Sequence, residues 1–102
     1  MIRVSVFYPN TGPFDMDYYR TKHMGLVNDL LQPMGLIRTE VDEGISSVPP
    51  DKPALYAAVG HLIFDSLENM QKALSQHDPT FAADVPNFTG IQPQIQISKM
   101  VE

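Results

Sequence analysis

Residues 54–64 read ALYAAVGHLIF, the most apolar strand-like stretch of the chain. In an extended strand successive side chains point to opposite faces of the sheet. Tyr56, Ala58, Leu62 and Phe64 then share one face, and Leu55, Ala57, Val59 and Ile63 share the other. A strand that is apolar on both faces has to be covered on both, which places it in the middle of a sheet. Working outward, residues 2–8 alternate, with Ile2, Val4, Val6 and Tyr8 on one side and Arg3, Ser5 and Phe7 on the other. Residues 36–44 form another strand, polar at Arg38, Glu40 and Asp42 and more apolar at Ile37, Thr39 and Val41. Residues 91–101 form the last, with Ile91, Ile95 and Ile97 opposed to Gln92, Gln94, Gln96 and Ser98.

Two helices separate these strands. Asp15 is a fitting N-cap for the first, Phe14 and Tyr19 are spaced as a hydrophobic staple, and Asp17 suits the positive first turn. Its apolar stripe runs Tyr19, Leu26, Val27, Leu30, Met34, and the run Gln32-Pro33-Met34-Gly35 ends it. The second helix is expected to start at Asp65, with Glu68 as capping-box partner and Leu67, Met70, Ala73 and Leu74 as the buried stripe. His77-Asp78-Pro79 is expected to stop it, leaving residues 80–89 as a connection. The order βαββαβ predicts an α+β, ferredoxin-like fold: a four-stranded antiparallel sheet with two helices on one face. The first and third strands are central. The second, with its charges, and the fourth, with Pro93, are edges.

One hundred and two residues make one domain, 1–102, with no composition shift that would mark a boundary. A formal net charge of -5 and seven scattered Lys and Arg give no basic patch, which argues against nucleic acid and against an anionic membrane surface. No apolar run is long enough to span a bilayer. The absence of cysteine, and an N-terminus that reads as a strand rather than a signal segment, fit a soluble, cytoplasmic protein. Two helices cover only one face of the sheet. The other would leave Leu55, Val59, Ile63 and Phe7 facing water, and such a patch usually marks an interface. A homodimer that packs two sheets face to face is therefore expected.

His23 lies four residues after Tyr19, on the stripe that should face the sheet. A histidine there needs a partner or a purpose. It is either a core histidine satisfied by a backbone carbonyl or a tyrosine hydroxyl, or a general acid/base in a pocket between helices and sheet. Tyr19 and Tyr56 can reach that layer, as ordinary core aromatics or as pocket groups. Ala58 and Gly60, on the Tyr56 face, leave room for a ligand or let a helix pack closely. Asp84 and Asn87 read as turn residues or as a polar rim over the pocket. His61 faces the expected interface, and His77 suits a helix C-terminus. No pair of histidines has metal-ligand spacing, and there is no phosphate loop, GxSxG or dinucleotide fingerprint.

Four stretches, YPN at 8–10, FDMDYYRTKHMGLV at 14–27, GHLIFDS at 60–66 and DVPNFTGIQPQIQIS at 84–98, together resemble the EthD family. These are small dimeric α+β-barrel proteins. The resemblance implies a ferredoxin-like protomer, a dimer and a pocket in each protomer. Family members are often labelled reductases or oxidoreductases. Superfamily relatives include cofactor-free monooxygenases, decarboxylases, cyclases and lactone isomerases acting on small aromatic or polyketide-like molecules. The family's helix histidine corresponds to His23 and its tyrosine pair to Tyr18 and Tyr19. Where the family often has proline, two residues after this histidine, this chain has Gly25. Haem-handling relatives fit less well, since the chain has no Trp. The resemblance implies an enzyme acting on a small, apolar organic molecule without a bound cofactor, with His23 as acid/base and Tyr19, Tyr8 and Asn87 orienting the ligand. The alternatives are a non-catalytic carrier with the same pocket, and a structural dimer with a filled interior.

Overall fold

A computed structural model describes residues 1–101. Four antiparallel strands, β1 (Ile2–Pro9), β2 (Leu36–Glu43), β3 (Tyr56–Phe64) and β4 (Gln94–Lys99), lie in the order β2-β3-β1-β4. The central and edge strands are those expected from their side chains. The first helix joins an α-turn Met16–Tyr18, a π-helical stretch Tyr19–His23 and an α-helix Met24–Leu31, followed by a 3-10 turn Gln32–Met34. The second helix spans Leu67–Asp84 and passes into a 3-10 turn Val85–Asn87. The layout is the ferredoxin-like α+β fold. No helix among the described residues is long and apolar enough to cross a membrane.

The first helix begins as its sequence dictates. The Asp15 side chain accepts from the Tyr18 N–H at 3.1 Å, and the Phe14 and Tyr19 rings meet at 5.1 Å. Gly35, at φ 96°, closes the helix in the left-handed conformation that glycine adopts without strain. The inward face, however, is Tyr19, His23, Met24, Val27 and Leu31, whereas Leu26, Leu30 and Met34 are only partly buried. The reason is the π-helical turn, in which the Met24 N–H reaches back to the Tyr19 carbonyl. One extra residue per turn rotates everything after it, so a 3.6-residue period drawn through the whole helix drifts off the buried face.

The second helix departs from expectation at both ends. Ser66, not Asp65, is the N-cap and accepts from the Asn69 N–H at 3.1 Å. Asp65 closes β3 instead: its N–H donates to the Gly35 carbonyl, and its side chain accepts from Asn69 Nδ2. Glu68 pairs with Lys72 at 3.1 Å, and Leu67 is exposed rather than part of the buried stripe. The helix also runs through Pro79 to Asp84. Proline removes one helical hydrogen bond. That loss is offset by burial of Phe81 and by the hydrogen bonds of Asp84 described below. The final strand starts at Gln94, so Ile91 lies before it, buried, in the segment that closes one end of the protein.

Two bulges correct the face assignments. In β2 the pairing steps from Leu36–Phe64 to Arg38–Ile63, which leaves Ile37 as the extra residue and turns Leu36 inward. In β3 it steps from Tyr8–Ala58 to Pro9–Tyr56. Tyr56 thereby moves to the face away from the helices, where its ring meets Phe7 at 5.1 Å. That outer face is not the continuous apolar patch the alternation suggests. Ile63 is fully buried, flanked in register by Arg3 and Arg38, both of which reach Glu40. Ser5, His61 and Asp42 form a hydrogen-bonded chain beside them, with His61 Nδ1 3.1 Å from the Ser5 hydroxyl and Nε2 3.0 Å from Asp42. The apolar part is confined to one end, at Phe7, Tyr56, Val59 and Leu55.

Candidate functional site

The helices do not fill the layer above β1. A cavity of about 560 Å³ remains there, floored by Val4, Val6 and Leu62, walled by the two helices and closed at one end by residues 89–93. Tyr8, Tyr19 and His23 line it. Gly60 explains how Tyr19 fits: a Cβ at that position would lie 2.0 Å from the Tyr19 hydroxyl. Tyr8 and Tyr19 pack with Phe14 and Phe88 in a cluster whose ring centroids stand 5.0–5.8 Å apart.

His23 is nearly buried and stacks on Tyr19, with ring centroids 5.5 Å apart and planes 19° apart. Its Nδ1 lies 2.9 Å from Asp84 Oδ2. Two further donors hold the same carboxylate: the Tyr18 hydroxyl at 2.7 Å and Asn87 Nδ2 at 2.9 Å, both on Oδ1. Asn87 also donates to the Tyr18 oxygen at 3.3 Å. Burial alone would raise the Asp84 pKa. The hydrogen bonds from Asn87, His23 and Tyr18, with the His23 charge, outweigh it and hold the carboxyl below the ordinary aspartate range. Asp84 is therefore a carboxylate at neutral pH and can only accept. Nδ1 of His23 must then carry the proton, which leaves Nε2 of the neutral ring as an acceptor. Among the described residues nothing hydrogen-bonds Nε2, and it is not sealed from solvent. The His23 ring is part of the cavity lining. The arrangement is that of a base whose tautomer is fixed by a carboxylate behind it.

The backbone locks the pieces together. Phe14 and Thr89 form a β-bridge, the Asp15 N–H donates to the Phe88 carbonyl at 2.8 Å, and Thr89 Oγ1 donates to the Pro13 carbonyl at 2.8 Å. The start of the first helix is thus pinned to the turn that follows the second, and Asp84 and Asn87 are held against His23.

Of the residues singled out from sequence, His23, Tyr19 and Tyr8 come together in the cavity. Ala58 and Gly60 share that face of the sheet but do not line the cavity; Ala58 pairs with Tyr8 and Gly60 lies under the Tyr19 hydroxyl, so their small size makes room for tyrosines rather than for a ligand. Tyr56 is on the opposite face. Asn87 stands behind the histidine, as a donor to Asp84. Tyr18 turns away from the cavity, but its hydroxyl reaches the same carboxylate. Asp84 is the residue the spacing did not pair with His23, since the two are 61 positions apart. A helix read through to residue 84, instead of stopped at Pro79, would have brought Asp84 to the first helix. No three His, Asp or Glu side chains among the described residues group as metal ligands.

The Tyr8 phenol is pushed up to about 12 by burial, and Tyr19 is raised further by burial and by the nearby Tyr8. Both hydroxyls remain protonated at neutral pH. Neither has a hydrogen-bond partner among the described residues, and neither is sealed off.

The chain is similar to known proteins over nearly its whole length. An EthD-like protein from Ralstonia eutropha is 33% identical, with 99% of this chain and 92% of that one covered and a TM-score of 0.92. An ethyl tert-butyl ether D (EthD) family protein from Bacillus halodurans is 19% identical over 99% of both chains, with a TM-score of 0.78. SnoaB, a cofactor-independent oxygenase from Streptomyces nogalater, shares the fold at 12% identity, with 99% and 92% of the two chains covered and a TM-score of 0.64. A search of curated proteins finds no match. The EthD domain matches residues 12–92, a span that holds Tyr18, Tyr19, His23, Asp84 and Asn87. The chain belongs to the EthD family.

Proposed function

We propose that the chain is a small enzyme that binds a small, largely apolar organic molecule in the cavity above β1 and acts on it by acid/base chemistry at His23, without a bound cofactor. The observation that carries this reading is the His23–Asp84 pair: Nδ1 anchored at 2.9 Å, and Nε2 unpartnered on a ring that lines the cavity. A purely structural histidine would have no need of an open nitrogen beside an apolar pocket. Tyr19 and Tyr8 orient the ligand through their free hydroxyls. Asn87 acts through Asp84.

The test compares the protein with its His23→Gln variant on a mixture of apolar metabolites, followed by mass spectrometry. A compound consumed by the wild type and left intact by the variant is the expected result. A compound that both bind and neither changes would make the protein a carrier and remove the enzyme reading.

The same reading takes the working unit to be a homodimer, cytoplasmic in location. The support is the apolar end of the outer sheet face, where Leu55 is 73% exposed and lies beside Phe7, Tyr56 and Val59, and where Val48, at 96%, stands out from the preceding loop. Light scattering at micromolar concentration is expected to give twice the 11.4 kDa chain mass, and a monomer at every concentration would exclude the dimer.

A further inference from the structure

We propose that the cavity sorts its ligands by charge. It takes an apolar body that ends in an ammonium group, accepts the matching alcohol less well and rejects the matching carboxylate, and Asp78 makes the distinction. The proposal rests on the reading of the cavity as a ligand site and not on His23 as a base.

The first observation is the place of Asp78 on the second helix. The residues of that helix that line the cavity are Leu74, Asp78, Phe81 and Ala82, with Val85 just beyond its end. Residues three and four apart share one face of a helix. Asp78 lies one turn from Leu74 and one turn from Ala82, so it is the one charged residue on an otherwise apolar stripe. The other two acidic residues of the helix are paired, Glu68 with Lys72 at 3.1 Å and Asp84 with His23 at 2.9 Å. Asp78 forms no ion pair among the described residues.

The second observation is the charge around it. No Lys or Arg lines the cavity. His77, the neighbour of Asp78 in the chain, does not line it either; its ring lies beside Phe81, with centroids 6.3 Å apart. A positive charge on His23 is already matched by Asp84. The whole chain carries a formal net charge of -5. An anionic ligand would give up hydration, meet no cation and face a carboxylate. An ammonium group gains from each of these features and finds an unpaired acceptor.

The remaining polar groups of the lining do not discriminate by charge. Thr89 Oγ1 is taken up by the Pro13 carbonyl and the Ile91 N–H. The Gln92 amide both donates and accepts, and so do the Tyr8 and Tyr19 hydroxyls. Tyr8, Tyr19 and His23 are buried, whereas Asp78 and Gln92 are exposed, so these two stand where the cavity meets solvent. Asp78 and Asp84 are six residues apart, or about 9 Å along the helix axis. An apolar body lodged along Leu62, Val27 and Val4 can therefore keep its charged end at the rim and its far end near His23.

The experiment titrates the intact protein, at pH 7 and low salt, with 2-naphthylmethylamine, 2-naphthylmethanol and 2-naphthoate, which carry an ammonium, a hydroxyl and a carboxylate on the same rings. Binding is read from the NMR shifts of the Val4, Val27 and Leu62 methyl groups, so that amine held elsewhere on the acidic surface is not counted. The wild type is expected to bind the amine more tightly than the alcohol by on the order of 5-fold, and the alcohol more tightly than the naphthoate by at least as much. Asp78→Asn should remove most of both differences with the alcohol affinity unchanged, and Asp78→Lys should invert the order. Asp51→Asn, which removes the same charge from an exposed loop position, should keep it. Amide spectra establish that each variant is folded. Equal affinities in the wild type, an order that survives Asp78→Asn, or an order lost equally in Asp51→Asn would overturn the proposal and leave the cavity and His23 readings standing. If none of the three compounds at millimolar concentration moves a cavity methyl signal, the proposal falls together with the reading of the cavity as a ligand site.

Discussion

Asp84→Ala is expected to lower turnover by on the order of 10²–10⁴-fold and to cost roughly 2–3 kcal/mol of stability at neutral pH. The catalytic loss follows from the tautomer. Without a carboxylate at 2.9 Å, nothing holds the proton on Nδ1, and a ring protonated at Nε2 cannot accept a proton from the cavity side. The stability loss follows from the partners left behind, His23 Nδ1 and the Tyr18 hydroxyl. Its pH dependence has a definite sign. The folded pKa of Asp84 is depressed, so its contribution is fully present above the ordinary value of 3.8 and is lost as pH falls through the lower folded value. Urea unfolding of wild type and variant should therefore differ at pH 7 and converge in acid. A pH-independent gap would mean that packing, and not the charged hydrogen-bond cluster, sets the cost.

Gly60→Ala is the second large effect. The new Cβ would sit 2.0 Å from the Tyr19 hydroxyl and 3.3 Å from the ring carbon that bears it. Tyr19 cannot retreat easily, because it is buried against Tyr8, Phe14, His23 and Phe88. Overpacking of this kind costs about 1–3 kcal/mol. The same clash predicts strong coupling. In a Tyr19→Phe background the oxygen is gone and the nearest ring carbon is tight but tolerable, so Gly60→Ala should cost much less. A double-mutant cycle by chemical denaturation measures this. Additive effects would show that Gly60 matters through backbone conformation in β3 and not through the tyrosine seated above it. The displaced Tyr19 ring should also disturb the stacked His23, so Gly60→Ala alone should impair function while leaving the His23–Asp84 residues untouched.

These two positions show where local sequence stops being informative. Gly60 reads as a small residue in a central strand, which marks a space without saying what fills it. The occupant is a tyrosine 41 positions earlier, brought there by the packing of the first helix on β1 and β3. Asp84 reads as a turn residue after a proline. Its role depends on the helix continuing through Pro79, and that continuation depends on Phe81 finding the core and on the carboxylate finding three donors. Tyr56 fails for a related reason. Strict alternation holds only while the ladder is regular, and one bulge at Tyr8 and Pro9 reverses its face.

The sequence by itself determined the strand order, the central place of β3, the caps at Asp15 and Gly35, the family, and His23 with Tyr8 and Tyr19 as the residues to watch. Those follow from periodicity, from turn chemistry and from motifs, all of which act over a few neighbouring residues. Only the tertiary structure decided which carboxylate fixes the histidine, that Tyr18 braces that carboxylate, and that Gly60 serves Tyr19. It did so because a π-helical turn, two bulges and a helix carried through proline are choices the chain makes only when distant segments can satisfy them.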